Sequence, residues 1–505
     1  MGIMFVQIGK IVTKVSLGFL LLMDIHCFTF LTRSTIPIAP LGDRSTFVLV
    51  SLPSANLPTF KTYTKQKINS VYEENNFSFV LLPRAVWEKM DRSLFLASEV
   101  TTPLGFKFFA ENYQTQLKKS TFEVSDVFSG YKDQILNERY LTQISLTHSE
   151  FAEKQIIGTT QSKNPIFALR LTRKNISDNG KVNVLLHCSI HANEVITTEH
   201  CYDAIYTLIT NKKLKERYLD QLIVWIIPIA NPDGSDAFWN VSHLQGRKNG
   251  SVNNLKGVDL NRNFPIHWGK TGGEYSSNKI DSPYFQGPSE GSELETRALI
   301  SLAEKERFVA SISYHAFANA LLYPYSVEGF LNPSPDLAEI VGKKLSKKTR
   351  STHPTKTFSL KKNLYPIDGV DQDFFYFRYG TLSYVLESSH FNPEYKYVPK
   401  ILDSLRNVWT QMLDEIVFGE KILIRVLNEE GAPLLTKIQI KGLSYFQGEV
   451  RTNHPKTGLF YTYYVPDLGN EMVLESDGYE SIIVKTKPSS KWEIQNIIMK
   501  RSTRP

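Results

Sequence analysis

The chain has 505 residues, 42% of them hydrophobic and 22% charged, with a net charge of +7. That length exceeds a single hydrophobic core and predicts two or three domains, and the composition excludes a disordered chain. The charge is mild and forms no basic stripe, which argues against a nucleic-acid partner.

Residues 1–34 read as a signal peptide or N-terminal hydrophobic segment. Lys10 and Lys14 precede the apolar run Val15 to Met23, the layout of a secretory signal. Asp24 ends that run too early for a membrane-spanning helix. A secreted or luminal location is therefore expected. Asn-X-Ser triplets at Asn76, Asn175, Asn240 and Asn249 fit a glycoprotein, although such triplets arise often by chance. Of the three cysteines, Cys27 lies in or beside the signal. Cys188 and Cys201 either pair or remain buried thiols, so the fold rests mainly on apolar cores.

Residues 44–126 read as a small α+β unit. Strands are expected at 46–50, 77–82, 94–100 and 120–124, with helices at 60–73 and 104–118, a split βαβ order. Residues 127–418 alternate apolar strands with helices. The strands are 167–171, 182–186, 222–228, 310–314 and 382–386, with helices such as 197–210 and 293–305 between them. This predicts an α/β fold whose mixed sheet is covered by helices, with its site at the carboxyl ends of the strands. Residues 420–505 change to about seven short strands (421–427, 435–440, 445–450, 459–465, 471–475, 481–485 and 492–499), which predicts a β-sandwich.

Chemistry concentrates where the central strands end. His191-Ala192-Asn193-Glu194 follows the run 182–190, and His315 follows 308–314. Two histidines and a glutamate suit a catalytic zinc ion, which takes three protein ligands and keeps one position open. Taken alone, a histidine and glutamate three apart read better as a capped helix start beside a buried histidine. The polar motifs that follow carry more weight: Asn231-Pro232-Asp233-Gly234, Asp259-Leu260-Asn261-Arg262-Asn263, Ser313-Tyr314-His315, Leu364-Tyr365-Pro366 and Tyr384-Val385-Leu386-Glu387.

In this order the motifs resemble the zinc carboxypeptidases of the carboxypeptidase A and B clan over residues 127–418. The resemblance implies an eight-stranded type of mixed sheet and one Zn²⁺ held by His191, Glu194 and His315. It implies Glu387 as the general base and Asn261 with Arg262 as the clamp on a substrate's terminal carboxylate. Arginine's planar fork suits that task. Tyr365 corresponds to the tyrosine that closes over the same end, and Asp259 to the acid that orients a zinc histidine. Arg247 is the candidate for the cation that stabilises the oxyanion, with Lys248 as the alternative. Gln372 corresponds to the specificity position for the leaving residue and Ser326 to a second one. Neither is acidic, so a neutral, apolar or polar leaving residue fits better than a basic one. Asp371 and Asp373 lie close enough to change that expectation if the loop shifts by one residue.

Two departures matter. Digestive relatives carry arginine where this chain has Asn193, and His191 to Thr198 instead resembles bacterial γ-D-glutamyl-diaminopimelate peptidases. Those generally lack the Asn-Arg clamp, so an exopeptidase is preferred. The flanks resemble the activation segment of carboxypeptidase zymogens (44–126) and a transthyretin-like domain (420–505). If the first is a prosegment, an activating protease would cut near 118–132, where Lys118, Lys119 and Lys132 offer basic sites. Three readings follow: a secreted zinc carboxypeptidase acting on peptide or protein C-termini, expected as a monomer; a stem-peptide or γ-glutamyl peptidase; and a non-catalytic peptide-binding protein. His187, His200 and His267 are read as core or loop residues, not as ligands of a second metal.

Overall fold

The computed structural model describes residues 47–65, 70–74, 77–95, 97–99, 119–241, 245–250, 256–270, 275–316, 318–351, 358–389, 392–393 and 395–502. The expected signal segment, Cys27, Asn76 and the helix expected at 104–118 lie outside them. Among the described residues, no helix is long and apolar enough to cross a membrane.

The N-terminal unit is a four-stranded sheet of β1 (Phe47–Pro53), β2 (Ser70–Glu74), β3 (Phe77–Pro83) and β4 (Ser98–Glu99), in the order β2-β3-β1-β4 with all neighbours antiparallel. That spatial order is the one a split βαβ unit requires. Its core gathers Val50, Leu52, Phe60, Val80 and Trp87. The expected helix at 60–73 is shorter, Leu57–Thr64. Lys65 then takes a left-handed conformation that ends it, and Val71 and Tyr72, which favour strands, continue as β2. Arg92–Phe95 is a 3-10 turn, and residues 120–124 form no strand.

The central layer is an eight-stranded mixed sheet. Its strands are β5 (Ala152–Thr159), β6 (Pro165–Leu171), β7 (Val182–Cys188), β8 (Leu222–Ile227), β9 (Phe308–His315), β10 (Ala320–Leu322), β11 (Ser359–Lys361) and β12 (Leu382–Glu387). They run β11-β10-β12-β9-β7-β8-β6-β5. The middle four, β12-β9-β7-β8, are parallel neighbours. All residues of β7 and β8 are buried, as a strand covered on both faces requires. The helices Ile196–Thr210 and Leu294–Glu306 fall where the apolar periodicity places them.

The helix Val398–Phe418 buries a stripe at Val398, Leu402, Leu405, Val408, Trp409, Met412, Leu413, Ile416 and Val417, the spacing of one helical face. Its end is sealed by Lys421, whose ammonium donates to the carbonyls of Val417 and Gly419. The C-terminal strands follow as two facing sheets. One is β16 (Leu459–Tyr463), β13 (Lys421–Leu427) and β19 (Gln495–Ile498). The other is β15 (Arg451–Thr452), β14 (Lys437–Ile440), β17 (Glu471–Glu475) and β18 (Ile482–Lys485). Ile422, Ile424, Ile438 and Met472 pack into one continuous core with Trp409 and Met412 of the helix. Residues 445–450 are not the expected strand but a loop against the central layer.

Cys188 and Cys201 are joined in a disulfide, so the paired alternative holds. The bond links the end of β7 to the following helix, next to the His191 turn. It closes a separation of 13 residues, for which chain entropy gives about 3 kcal/mol. Replacing both cysteines with alanine is expected to lower the urea midpoint, with a slope equal or steeper because the freed denatured chain exposes more surface.

Candidate active site

Four parallel strands deliver their carboxyl ends to one edge. His315 ends β9 and Glu387 ends β12, directly opposite each other in register. After β7 the chain must turn sharply to present His191. Ser189 supplies that turn with a φ of 53°. This uncommon conformation is held by the hydroxyls of Thr197 and Thr198, 2.9 and 2.7 Å from Ser189 Oγ. Gly246 packs on the same turn and its carbonyl accepts from the Ala192 N–H at 2.8 Å. A Cβ there would lie 2.9 Å from Phe238 and 3.0 Å from the Asn193 nitrogen, so only glycine admits this approach. It brings the next residue, Arg247, to the site.

His191, Glu194 and His315 are brought together, buried, with ligand atoms all within 4.8 Å of one another. His191 Nδ1 faces Glu194 Oε1 at 3.0 Å, and His315 Nδ1 lies 3.3 Å from Glu194 Oε2. Burial raises the Glu194 pKa, but the two imidazoles outweigh it and hold the carboxyl below its ordinary range. The other ring nitrogens are occupied from behind: His191 Nε2 by Asp259 Oδ1 at 2.9 Å, and His315 Nε2 by Ser313 Oγ at 3.1 Å. The Asp259 carboxylate can only accept, so it fixes the His191 tautomer and aims the lone pair of its Nδ1 inward. Two imidazoles and a carboxylate, convergent and backed in this way, fit a zinc ion.

Arg247 and Lys248 separate clearly. Arg247 donates to Asp259 at 2.7 Å and approaches Glu194 at 3.9 Å. Lys248 turns away and donates to the carbonyls of Ile280 and Ser282. Asp259 is buried, which raises its pKa, yet Arg247, Arg262 and His191 together keep it well below the carboxylate range. It therefore remains an acceptor for both His191 and Arg247. Glu387 has one carboxylate oxygen buried with no hydrogen-bond partner among the described residues. Burial first, then the charge of Glu194, push its pKa up. A carboxyl held in this tension suits proton transfer.

Asn261 points its amide nitrogen at His315 Nε2, 3.3 Å away, and its oxygen accepts the Asp371 N–H at 2.9 Å. Arg262 is buried and fixed by the carbonyls of Tyr275 and Asn261 at 2.5 and 2.6 Å. Gly369, at a φ of 65°, passes 2.3 Å from the Arg262 carbonyl by its would-be Cβ, another approach only glycine allows. Both guanidinium groups lie over the Tyr284 ring, Arg247 at 4.9 Å and Arg262 at 5.7 Å. Tyr365 stacks on Tyr275 with ring centres 4.1 Å apart, and feels the charges of Arg262, Arg247 and Glu387. Tyr275 and Tyr284 sit in a polar loop and carry no motif, so the sequence reading did not single them out.

The two positions expected to face the leaving residue, Gln372 and Ser326, are both uncharged and buried. Gln372 is buried and donates to Ser326 Oγ at 2.7 Å, which joins the two expected positions. Of the neighbouring acids, Asp371 is engaged elsewhere and Asp373 backs Ser326 itself. Asp371 lies 3.0 Å from His187, and Asp373 accepts the Ser326 N–H at 2.8 Å. Burial pushes the Asp373 pKa up to about 7. His200 stacks on Tyr314 and burial takes its pKa down to about 3, so it is a neutral core residue. His267 packs against Phe330.

Two basic and glycosylation candidates change. Lys132 is fully buried and paired with Glu199 at 2.5 Å, so it offers no cleavage site. Asn249 is buried and donates to Glu293 at 2.6 Å, so a glycan there would disrupt the loop, whereas Asn175 and Asn240 are exposed.

The chain belongs to the zinc carboxypeptidase family, whose model matches residues 137–414. It is 27% identical to mast cell carboxypeptidase A of Rattus norvegicus over 46% of this chain and 58% of that protein. It is 32% identical to carboxypeptidase A6 of Mus musculus, over 43% of this chain and 50% of that one. The chain thus spans about half the length of the relatives it matches. Among solved structures, carboxypeptidase A from Helicoverpa armigera superimposes with a TM-score of 0.55 at 19% identity, covering 73% of this chain and 97% of that one. Thrombin-activatable fibrinolysis inhibitor gives 0.52 at 20%, over 74% and 99%. These likenesses give the fold.

Proposed function

We propose that the chain is a secreted zinc metallocarboxypeptidase that removes one neutral residue from peptide C-termini. The observation that carries this reading is a buried arginine, Arg262, held rigidly beside a convergent His-Glu-His set. A fixed guanidinium next to a hydrolytic centre recognises a carboxylate bidentately, and a peptide has one at its C-terminus. Zinc, when bound, supplies Lewis acidity that polarises a carbonyl and acidifies water. The residues do the rest. Asn261 and Arg262 hold the terminal carboxylate, and Tyr365 closes over it and keeps water out. Glu387 takes a proton from the attacking water at its buried oxygen and returns it to the leaving amine. Arg247, anchored on Asp259, stabilises the negative charge that develops on the carbonyl oxygen. The neutral Gln372–Ser326 wall supports an apolar or polar leaving residue.

The clamp also argues against a stem-peptide or γ-glutamyl peptidase, and the full set of ligands with Glu387 argues against a binding protein that has lost catalysis. The Cys188–Cys201 disulfide supports an oxidising compartment. If residues 44–126 are an activation segment, Lys119, with its side chain 38% exposed, is among the described residues the basic candidate that cleavage could reach, beside Lys118, which lies outside them. The test is reconstitution: chelated protein should be inactive on peptides and recover at one equivalent of zinc. Recovery without metal would overturn the reading. Asp259→Asn is expected to weaken zinc binding about 10- to 100-fold, measured by competition with a chelator, because it loosens the His191 tautomer and frees Arg247.

A further inference from the structure

The C-terminal sandwich reaches the leaving-residue wall through the loop 444–451. Glu449 is 5% exposed and accepts the Tyr325 hydroxyl at 2.8 Å in a buried contact. Its second oxygen accepts the Gln447 N–H, also at 2.8 Å, which fixes the carboxylate. Arg451 donates to the Phe377 carbonyl at 2.8 Å and lies over the Tyr376 ring. Ser444 and Ser334 exchange backbone hydrogen bonds, so the loop is tied at a second point.

What the loop grips is not peripheral. Tyr325 is wholly buried, packs on Tyr376 with ring centres 5.4 Å apart, and directly precedes Ser326. Ser326 receives Gln372 on its hydroxyl and gives its N–H to Asp373. Tyr376 lies on the helix Asp371–Tyr379, whose first turn carries Gln372 and Asp373. Both halves of the wall are thus backed by residues that the sandwich holds. An unsupported wall would relax, because the Tyr325 hydroxyl would be left buried without an acceptor.

We propose that Glu449 and Tyr325 are positioning residues for leaving-residue selection, and that the C-terminal sandwich serves as the rigid backing of that pocket. The proposal rests on the carboxypeptidase reading and names the part of the chain that sets its specificity. Positioning by such a backing changes discrimination between leaving residues more than it changes turnover.

The test uses the full chain with Glu449→Ala, Glu449→Gln and Tyr325→Phe. The readouts are the ratio of kcat/KM for matched peptides ending in Leu and in Gln, and hydrogen exchange over 323–332 and 371–376. Glu449→Ala is expected to shift the ratio by about fivefold or more, chiefly through KM, and to speed exchange in both segments. Glu449→Gln keeps an oxygen for Tyr325 and should restore the ratio to within about twofold. If Glu449→Ala does not fold, Tyr325→Phe, which removes one oxygen atom, carries the test. An unchanged ratio in a folded variant overturns the proposal, since a merely structural contact would lower stability and leave selection alone. If the unaltered protein cleaves neither peptide, the carboxypeptidase reading fails separately. Exchange then decides the coupling, and unaltered exchange in Glu449→Ala overturns it.

Discussion

Replacing Glu387 with Gln should reduce kcat by about two to four orders of magnitude while the protein still binds one zinc. The substitution keeps the shape of the side chain and removes its ability to take a proton. Glu387 lies opposite His315 in the β9–β12 register and is not one of the three grouped ligands, so metal content should stay constant. The change relieves the repulsion with Glu194 that helps to push the Glu387 pKa up, so the variant should fold at least as stably. Steady-state kinetics with metal analysis check both halves. Lost activity accompanied by lost zinc would make Glu387 a ligand and contradict the role assigned to it.

Arg262→Ala is expected to cost about 2–5 kcal/mol in kcat/KM on peptides with a free C-terminus, the range for removing one partner of a buried charge-assisted pair. The loss should fall mainly on KM if the clamp holds substrate and transition state alike. Arg262 also anchors its own loop through the Tyr275 carbonyl, so Arg262→Lys serves as the control. It keeps the charge and loses the planar fork, and should recover only part of the loss. Equal losses on free and amidated peptides would show that the arginine supports the loop and does not read the carboxylate.

The parts of the fold that are legible in the sequence are those set by local pattern. β7, β8, β9 and β12 read as runs rich in apolar and β-branched residues because both faces are covered, and the residues at or just past their ends are the ones brought together. The grouping of His191, Glu194 and His315 is legible through the polar motifs that follow in order, since a histidine and a glutamate on one turn do not carry that reading alone. What escapes is decided by contacts distant in sequence. The adjacent cations Arg247 and Lys248 cannot be told apart by type. They differ only because Gly246 docks on the Ala192 turn and directs Arg247 to Asp259, while Lys248 finds the carbonyls of Ile280 and Ser282. Lys132 reads as an exposed basic site, yet it is buried because Glu199, on a helix far along the chain, neutralises it.

Residues 445–450 mislead for a related reason. Their period-two alternation is that of a strand, but the inward positions serve another layer: Glu449 meets Tyr325 across the junction and Gln447 reaches the Leu331 carbonyl. In the N-terminal unit the helix expected to reach residue 73 stops at Thr64, because Lys65 turns left-handed and strand-forming residues follow. Pattern identifies the layer but not the partner.

The central claim is best tested with matched peptides that differ only in a free or an amidated C-terminus, digested with zinc present and followed by mass spectrometry. The account predicts release of a single C-terminal residue from the free acids and no cleavage of the amides. Equal cleavage of both, or cuts within the chain, would contradict it.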